Sequence, residues 1–464
     1  MKHVVYAVII LLALTACSLA PKYNRPEIVI PTHYTEAGKW IPAKPNYANS
    51  DRGPWWEVYG DPRLNALEDR VTSSNQNLKA AYQRYQEARA RAAYARGDLF
   101  PQITGNAAIQ RIKYSDNIAE APSPLQYNDF LIGPSLSYEI DLWGRIHNQV
   151  FAAVSLANAS AADLAAVDLS LHAELAIDYF TLRGDDEAQH VLDETVIAYK
   201  EAYDLTKDRH DGGVASEADV DQAKSQWESA RTLATDVRLK RAQLEHAIAV
   251  LIGVPPADFH LAVNRQKVKV ISVAPSVPST LLQRRPDIAA AELRVQAANA
   301  NIGVARAVYY PDLNLIGSVG FESAVGYNLF SAPSLFWSLG PTATWILFNG
   351  GKTTAFVDLA KASYFETVAQ YRQTTLTAFQ EVEDNLVAIH RLNSEVKTQS
   401  AATVAAYRAL KQARFRYVGG IITYLEVVLT QNIALQAELI DVDIRTRRQV
   451  ASVQLIKALG GGWS

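Results

Sequence analysis

Few side chains in this 464-residue chain stand at spacings that support chemistry. Asp168 and His172 lie four residues apart, one helical turn, which suits a proton relay and equally suits a solvent-face or inter-helix hydrogen bond. The nine histidines are scattered. There is no HExxH or paired-cysteine pattern for zinc, and no P-loop or GxGxxG turn to cradle phosphate. Neither a metal nor a cofactor is expected, and the chain is not expected to be an enzyme. The chemically pointed residue is Cys17, the only cysteine, which rules out an intramolecular disulfide.

Lys2 and His3 make a short polar start, Val4 to Ala13 is an apolar run, and Leu14-Thr15-Ala16-Cys17 follows. The run is too short to span a bilayer and reads as a signal segment, residues 1–16. Its end resembles the bacterial lipobox, where cleavage exposes the cysteine and lipid is attached to it. Ser18, rather than Asp, follows; by resemblance to bacterial lipoproteins this favours sorting to the outer membrane. With 45 Lys+Arg against 48 Asp+Glu, the net charge of −3 gives no electrostatic basis for nucleic-acid binding.

What must position these residues is a repeat. Gly133-Pro134 recurs as Gly340-Pro341, Gly144-Arg145 as Gly351-Lys352, Gly212-Gly213 as Gly419-Gly420 and Gly253 as Gly460, each 207 residues on. Upstream, Phe100-Pro101 recurs as Tyr310-Pro311 at an offset of 210. The two copies occupy residues 61–254 and 286–464. Residues 17–60 form a proline- and aromatic-rich strap after the anchor, and residues 255–285 a linker joining an equatorial belt.

Each copy begins with a helix and then a strand hairpin, residues 102–142 and 312–348. Ile103, Gly105, Ala107 and Ile109 alternate with polar neighbours, and Ile132, Pro134, Leu136 and Tyr138 do the same. Leu313, Leu315, Gly317, Val319 and Phe321 continue an apolar face, joined by Trp337, Leu339, Pro341 and Ala343. About ten residues with one wet and one apolar face suits a tilted membrane-barrel strand. Tyr327, Phe330, Phe336 and Trp337 suit an interfacial aromatic girdle. Four strands cannot close in lipid, so copies must associate. Two or three copies would give 8 or 12 strands, and three are preferred because only the wider barrel leaves a lumen.

Two 67-residue stretches, Arg145 to Asp211 and Lys352 to Val418, contain no proline and one glycine, Gly184. As unbroken helices each would be about 100 Å long. Phe379, Val382, Leu386, Ile389, Leu392 and Val396 advance by three or four, the spacing of coiled-coil-like packing. Glycine pairs then mark tight hairpin tips near residues 212–216 and 419–423, with Ser216 and Asp219 as a capping box. The expected fold is a mixed membrane β-barrel plus α-helical barrel with an internal two-fold repeat.

The run LLQRRPDIAAAELRVQAANANIGVARAVYYPDLNLIGSVG, Leu281 to Gly320, resembles the signature of the TolC-like outer-membrane factors, and CSLAPKYNRP, Cys17 to Pro26, resembles the start of their lipoprotein branch. That resemblance implies a homotrimer whose twelve strands cross the outer membrane and whose helices form a periplasmic tunnel. It implies a passive exit duct for drugs or other small toxic compounds. Its implied partners are outer-membrane lipid, a periplasmic membrane-fusion adaptor and an inner-membrane pump of RND or MFS type.

In that family the second tip lines a periplasmic gate, often with two acidic residues three apart. Here Glu426 matches the first and Leu429 replaces the second, with Tyr424, Leu425 and Asn432 beside them. Packing of Leu425 and Leu429 between helices is the alternative. Adaptor contact is expected at Gly212, Gly213, Val214, Ala215, Ser216, Gly419, Gly420, Ile421 and Ile422. A periplasmic adaptor is the rival reading, but it would need a single hairpin and soluble β-domains.

Overall fold

The computed structural model describes residues 18–28, 31, 34, 53–117, 123, 126–264 and 285–461. The expected signal segment and Cys17 lie outside the described residues, as do most of strap 17–60 and most of linker 255–285. The helices are α1 (Pro62–Ser74), α2 (Gln76–Gly97), α3 (Arg145–Asp211), α4 (Glu217–Leu251), α5 (Pro286–Ala307), α6 (Lys352–Val418) and α7 (Tyr424–Ala458). The strands are β1 (Gln102–Lys113), β2 (Gln126–Glu139), β3 (Asp312–Ser323) and β4 (Leu335–Thr344).

The chain forms two compact units, and each draws on both copies of the repeat. The first takes the described residues of 18–27, 84–161 and 290–372, and among them is one antiparallel sheet of order β1-β2-β3-β4. Its register puts the apolar residues on one face. Ile103 pairs with Leu136, Leu136 with Gly317, and Gly317 with Leu339; Ala107, Ile132, Phe321 and Leu335 form a second such row. The adjacent residues make a wet row, Thr104, Ser135, Ser318 and Ser338. Within the wet face Ser318 and Ser338 share a hydroxyl hydrogen bond of 2.7 Å, and Asn106 donates to Ser135 at 2.9 Å.

The β2–β3 ladder pairs Ile132 with Phe321 and resumes at Ser135 with Ser318. Between these pairs lies Pro134, which has no N–H to give. The strands press together there: a Cβ on Gly133 would come 2.2 Å from the carbonyl oxygen of Val319, so only glycine fits. Neither outer edge, along β1 or β4, has a partner within the described residues.

The same unit seats residues 18–21 on α5 and the first turns of α3. Ser18 Oγ donates to Asn148 at 2.9 Å, Asn299 donates to the Pro21 carbonyl at 2.8 Å, and Arg306 donates to that of Leu19 at 3.2 Å. Ala20 lies where a Cβ on Gly303 would be, 2.7 Å from its backbone nitrogen. Farther along, Arg25 pairs with Glu292.

The second unit takes the described residues of 28–83, 162–289 and 373–461. Its core gathers Trp55, Trp56, Tyr59, Leu64, Leu175, Tyr179, Ile248 and Val453. Burying each large aliphatic side chain is worth about 1.5–3 kcal/mol relative to exposure. Asp61 caps α1, accepting from the Arg63 and Leu64 amides, and Pro62 follows it at the first turn. Gly184 admits Thr446 of α7, whose Oγ1 lies 2.3 Å from where a Cβ would stand.

Candidate functional site at the helical tips

The tips belong to the second unit and have one geometry repeated. Gly213 takes φ of 76°, the Val214 amide donates to Arg209 and the Gly213 amide to His210. In the second copy Gly420 takes φ of 71°, Ile421 donates to Arg416 and Gly420 to Tyr417. This paired bonding satisfies the last helical carbonyls and turns the chain sharply, which a residue with a Cβ does at a cost. Ser216 and Asp219 form the capping box at the start of α4, whereas Thr423 makes no side-chain cap on α7. The two tips therefore differ in how firmly the returning helix is begun.

Around the second tip, Tyr424 is buried with Ala223, Val427 and Val428, and its ring tilts against Tyr417 at 5.3 Å. Burial, with Tyr417 nearby, pushes its phenol up to about 12, so it stays neutral. This placement separates Tyr424 from the other expected gate residues: Leu425, Glu426 and Leu429 are exposed and Asn432 is half-buried. Ile433 and Ile440 extend the exposed apolar stripe along α7, at 58 % and 48 % exposure. Both were missed in sequence, although Leu425, Leu429 and Ile433 recur at the four-residue spacing of a helix face.

Of the expected tip contacts, Gly212, Gly213, Val214, Ser216, Gly419, Gly420 and Ile421 are exposed, while Ala215 and Ile422 are half-buried. Val418 and Phe415, one residue and about one turn before the second glycine pair, are exposed as well. The two tips meet through Arg209, whose guanidinium lies over Tyr417.

Away from the tips, the Asp168 and His172 pair is a packing feature. His172 is buried, 2.7 Å from Glu68 of α1 and 3.4 Å from Asp168, with Trp56 stacked on its ring at 4.4 Å. At the sheet, Tyr327, Phe330 and Trp337 are exposed aromatics, as a girdle requires. Phe336 corrects that expectation: it pairs with Gly320 on the wet face, opposite Trp337. Among the described residues no group of His, Cys, Asp and Glu is arranged to hold a metal ion.

A one-faced sheet with two open edges, combined with paired 67-residue helices, defines a subunit of a membrane channel class. A family model described as outer membrane efflux protein matches residues 67–254 and 277–461. OprJ, an outer membrane protein of Pseudomonas aeruginosa, is 33 % identical over 99 % of this chain and 96 % of its own length. SilC of Salmonella typhimurium, named a probable outer membrane lipoprotein, is 28 % identical over 96 % of this chain and 95 % of its own. The crystal structure of the Campylobacter jejuni CmeC outer membrane channel superposes with a TM-score of 0.88 at 27 % identity, covering 97 % of this chain and 96 % of that one.

The chain belongs to the outer membrane efflux protein family. It combines a membrane β-barrel with an α-helical barrel in the outer membrane. Among the described residues one helix, Arg145–Asp211, also holds a stretch apolar enough to cross a bilayer by composition. That stretch is rich in alanine, which suits close helix packing, and the membrane crossing belongs to the strands.

Proposed function

We propose that this chain is the exit duct of a tripartite efflux pump, with three copies closing one 12-stranded barrel. The observation that carries this reading is the four-stranded sheet with an apolar face, a wet face and both edges open. In hydrocarbon an open edge leaves several unpaired backbone groups, each costing several kcal/mol, so β4 of one copy must meet β1 of the next. The wet rows through Ser135 and Ser318 then face the lumen.

A periplasmic adaptor meets the glycine tips, where Val214 and Ile421 stand exposed beside the turns. An inner-membrane pump of RND or MFS type supplies the energy, and the duct conducts small toxic compounds passively, without catalysis. The second tip forms the gate. Three Glu426 carboxylates supply a cation-attracting ring, and Leu425, Leu429 and Ile433 supply apolar rings beside it. Cys17 carries the lipid, and the seating of residues 18–21 near the sheet-to-helix joint supports an anchor at the inner surface of the outer membrane.

The test is complementation of a strain lacking this gene, together with planar-bilayer recording of the purified protein. Restored resistance to small toxic compounds and discrete conducting steps are expected. A non-conducting protein that becomes soluble in water once Cys17→Ser removes the lipid would instead identify an adaptor.

A further inference from the structure

Within the second unit a cavity of about 570 Å³ opens between α3, α6 and α7. That volume lies in the range that holds small organic ligands. Its walls are mainly apolar, with Val191, Leu410 and Leu435 among them. They come from both copies of the repeat.

Two polar groups in this wall lack partners. Gln431 is 1 % exposed, yet neither its amide oxygen nor its amide nitrogen has a hydrogen bond, and the hydroxyl of Tyr199, 4 % exposed, has none either. An unmade hydrogen bond at a buried group costs about 1–3 kcal/mol, so such groups are normally satisfied by something that fills the space beside them. Together they offer an amide donor and acceptor and a phenolic donor.

The charges at the cavity are unevenly committed. Tyr407 donates its hydroxyl to Glu438, and Glu194 lies 3.4 Å from His190. Lys411 and Arg414, also lining the cavity, have no carboxylate partner among the described residues. Each acid thus has a polar neighbour, a phenol for Glu438 and an imidazole for Glu194, while neither base has an acid.

We infer that this cavity is a binding site for a small amphipathic anion, an aromatic or short aliphatic carboxylate or sulfonate. Its apolar body lies against Val191, Leu410 and Leu435, its charge meets Lys411 and Arg414, and its remaining polar atoms satisfy Gln431 and Tyr199. Because the walls belong to both repeats, the ligand also braces α3 against α6 and α7. The site lies off the exposed Leu425, Leu429 and Ile433 stripe and reaches, through Phe415 and Val418, the base of the second glycine tip.

The test is isothermal titration of the full-length protein in lipid nanodiscs with 2-naphthoate, subtracting the heat of empty nanodiscs. Saturable binding of one molecule per subunit is expected. It should weaken at least tenfold in Lys411→Gln/Arg414→Gln, whose altered side chains are exposed, and at least tenfold for the uncharged 2-naphthalenemethanol. Gln431→Leu should weaken it as well, with an unchanged oligomer on native gels showing that the fold survives. Absence of saturable binding would mean that a neighbouring copy covers the cavity, and the inference fails. It fails equally if the double variant or the uncharged analogue binds as tightly as wild type does 2-naphthoate.

Discussion

Arg209 and Tyr417 tie the two hairpin tips together: the guanidinium carbon lies 4.7 Å from the centre of the tyrosine ring, and Nη1 donates to the Tyr417 carbonyl at 3.4 Å. The contact joins the last turn of α3 to the last turn of α6, so each tip restrains the other. Cation–π contacts of this kind are worth about 0.5–1 kcal/mol at exposed sites and more when dry.

From this contact follows a prediction about opening. Arg209→Ala frees the second tip and should raise the mean single-channel conductance in planar bilayers, while Arg209→Lys, keeping the charge without the planar fork, should fall between. Conductance indistinguishable from wild type in both variants would remove the pair from gating.

Selectivity should depend on Glu426. Glu426→Gln is expected to lower the preference for cations, measured as the reversal potential across a salt gradient. Leu429→Glu places a second carboxylate three residues on and should raise that preference and introduce block by multivalent cations. An unchanged reversal potential in Glu426→Gln would place its carboxylate outside the conducting path.

The sheet makes a sharper prediction, because two adjacent residues should behave oppositely. Leu136→Lys puts a charge on the apolar face, at a cost of about 2–4 kcal/mol near the bilayer midplane, and should reduce the amount of assembled protein in the outer membrane. Ser135→Lys points the same charge to the wet face and should assemble normally. Equal loss for both would mean that the wet face does not line water.

The buried pair of Glu68 and His172 predicts a pH dependence of stability. Burial alone would lower the His172 pKa, but hydrogen bonds to Asp168 and Glu68 outweigh it and hold the imidazole up to about 9; burial pushes Glu68 up to about 7. Both groups bind protons more tightly when folded, so both contributions weaken as pH rises. Glu68 loses its share from its ordinary range near 4.5 up to about 7, and His172 from about 6.5 up to about 9. The thermal midpoint of the purified protein should therefore decline from pH 5 to 9, and Glu68→Gln/His172→Gln should flatten that decline. A double variant with the wild-type slope would place the titrating groups elsewhere.

Much of this architecture was legible because glycine and proline mark backbone geometry directly. Gly213 and Gly420 announced the hairpin tips, and the repeat at 207 residues carried one reading onto the other. The alternation of Ile132, Pro134, Leu136 and Tyr138 likewise gave a strand with two unlike faces. What could not be read was which side chains meet across helices distant in sequence. Tyr424 looked equivalent to Leu425, yet only the packing of Ala223 and Tyr417 shows that it turns inward. Gly184 stood out as the lone glycine in its helix, but its reason, the approach of Thr446, lies 262 residues farther along.

The seat of the first described residues has a consequence for the order in which the molecule is made. Asn299, which grips the Pro21 carbonyl, follows it by 278 residues. Gly303 and Arg306, which complete the seat, come later still. Ser18 meets Asn148 in the first copy, but the contacts that hold Leu19 and Pro21 are absent until more than half of the polypeptide has been synthesised. Complete seating of residues 18–21 is therefore among the later steps of maturation, because it needs α5 of the second repeat.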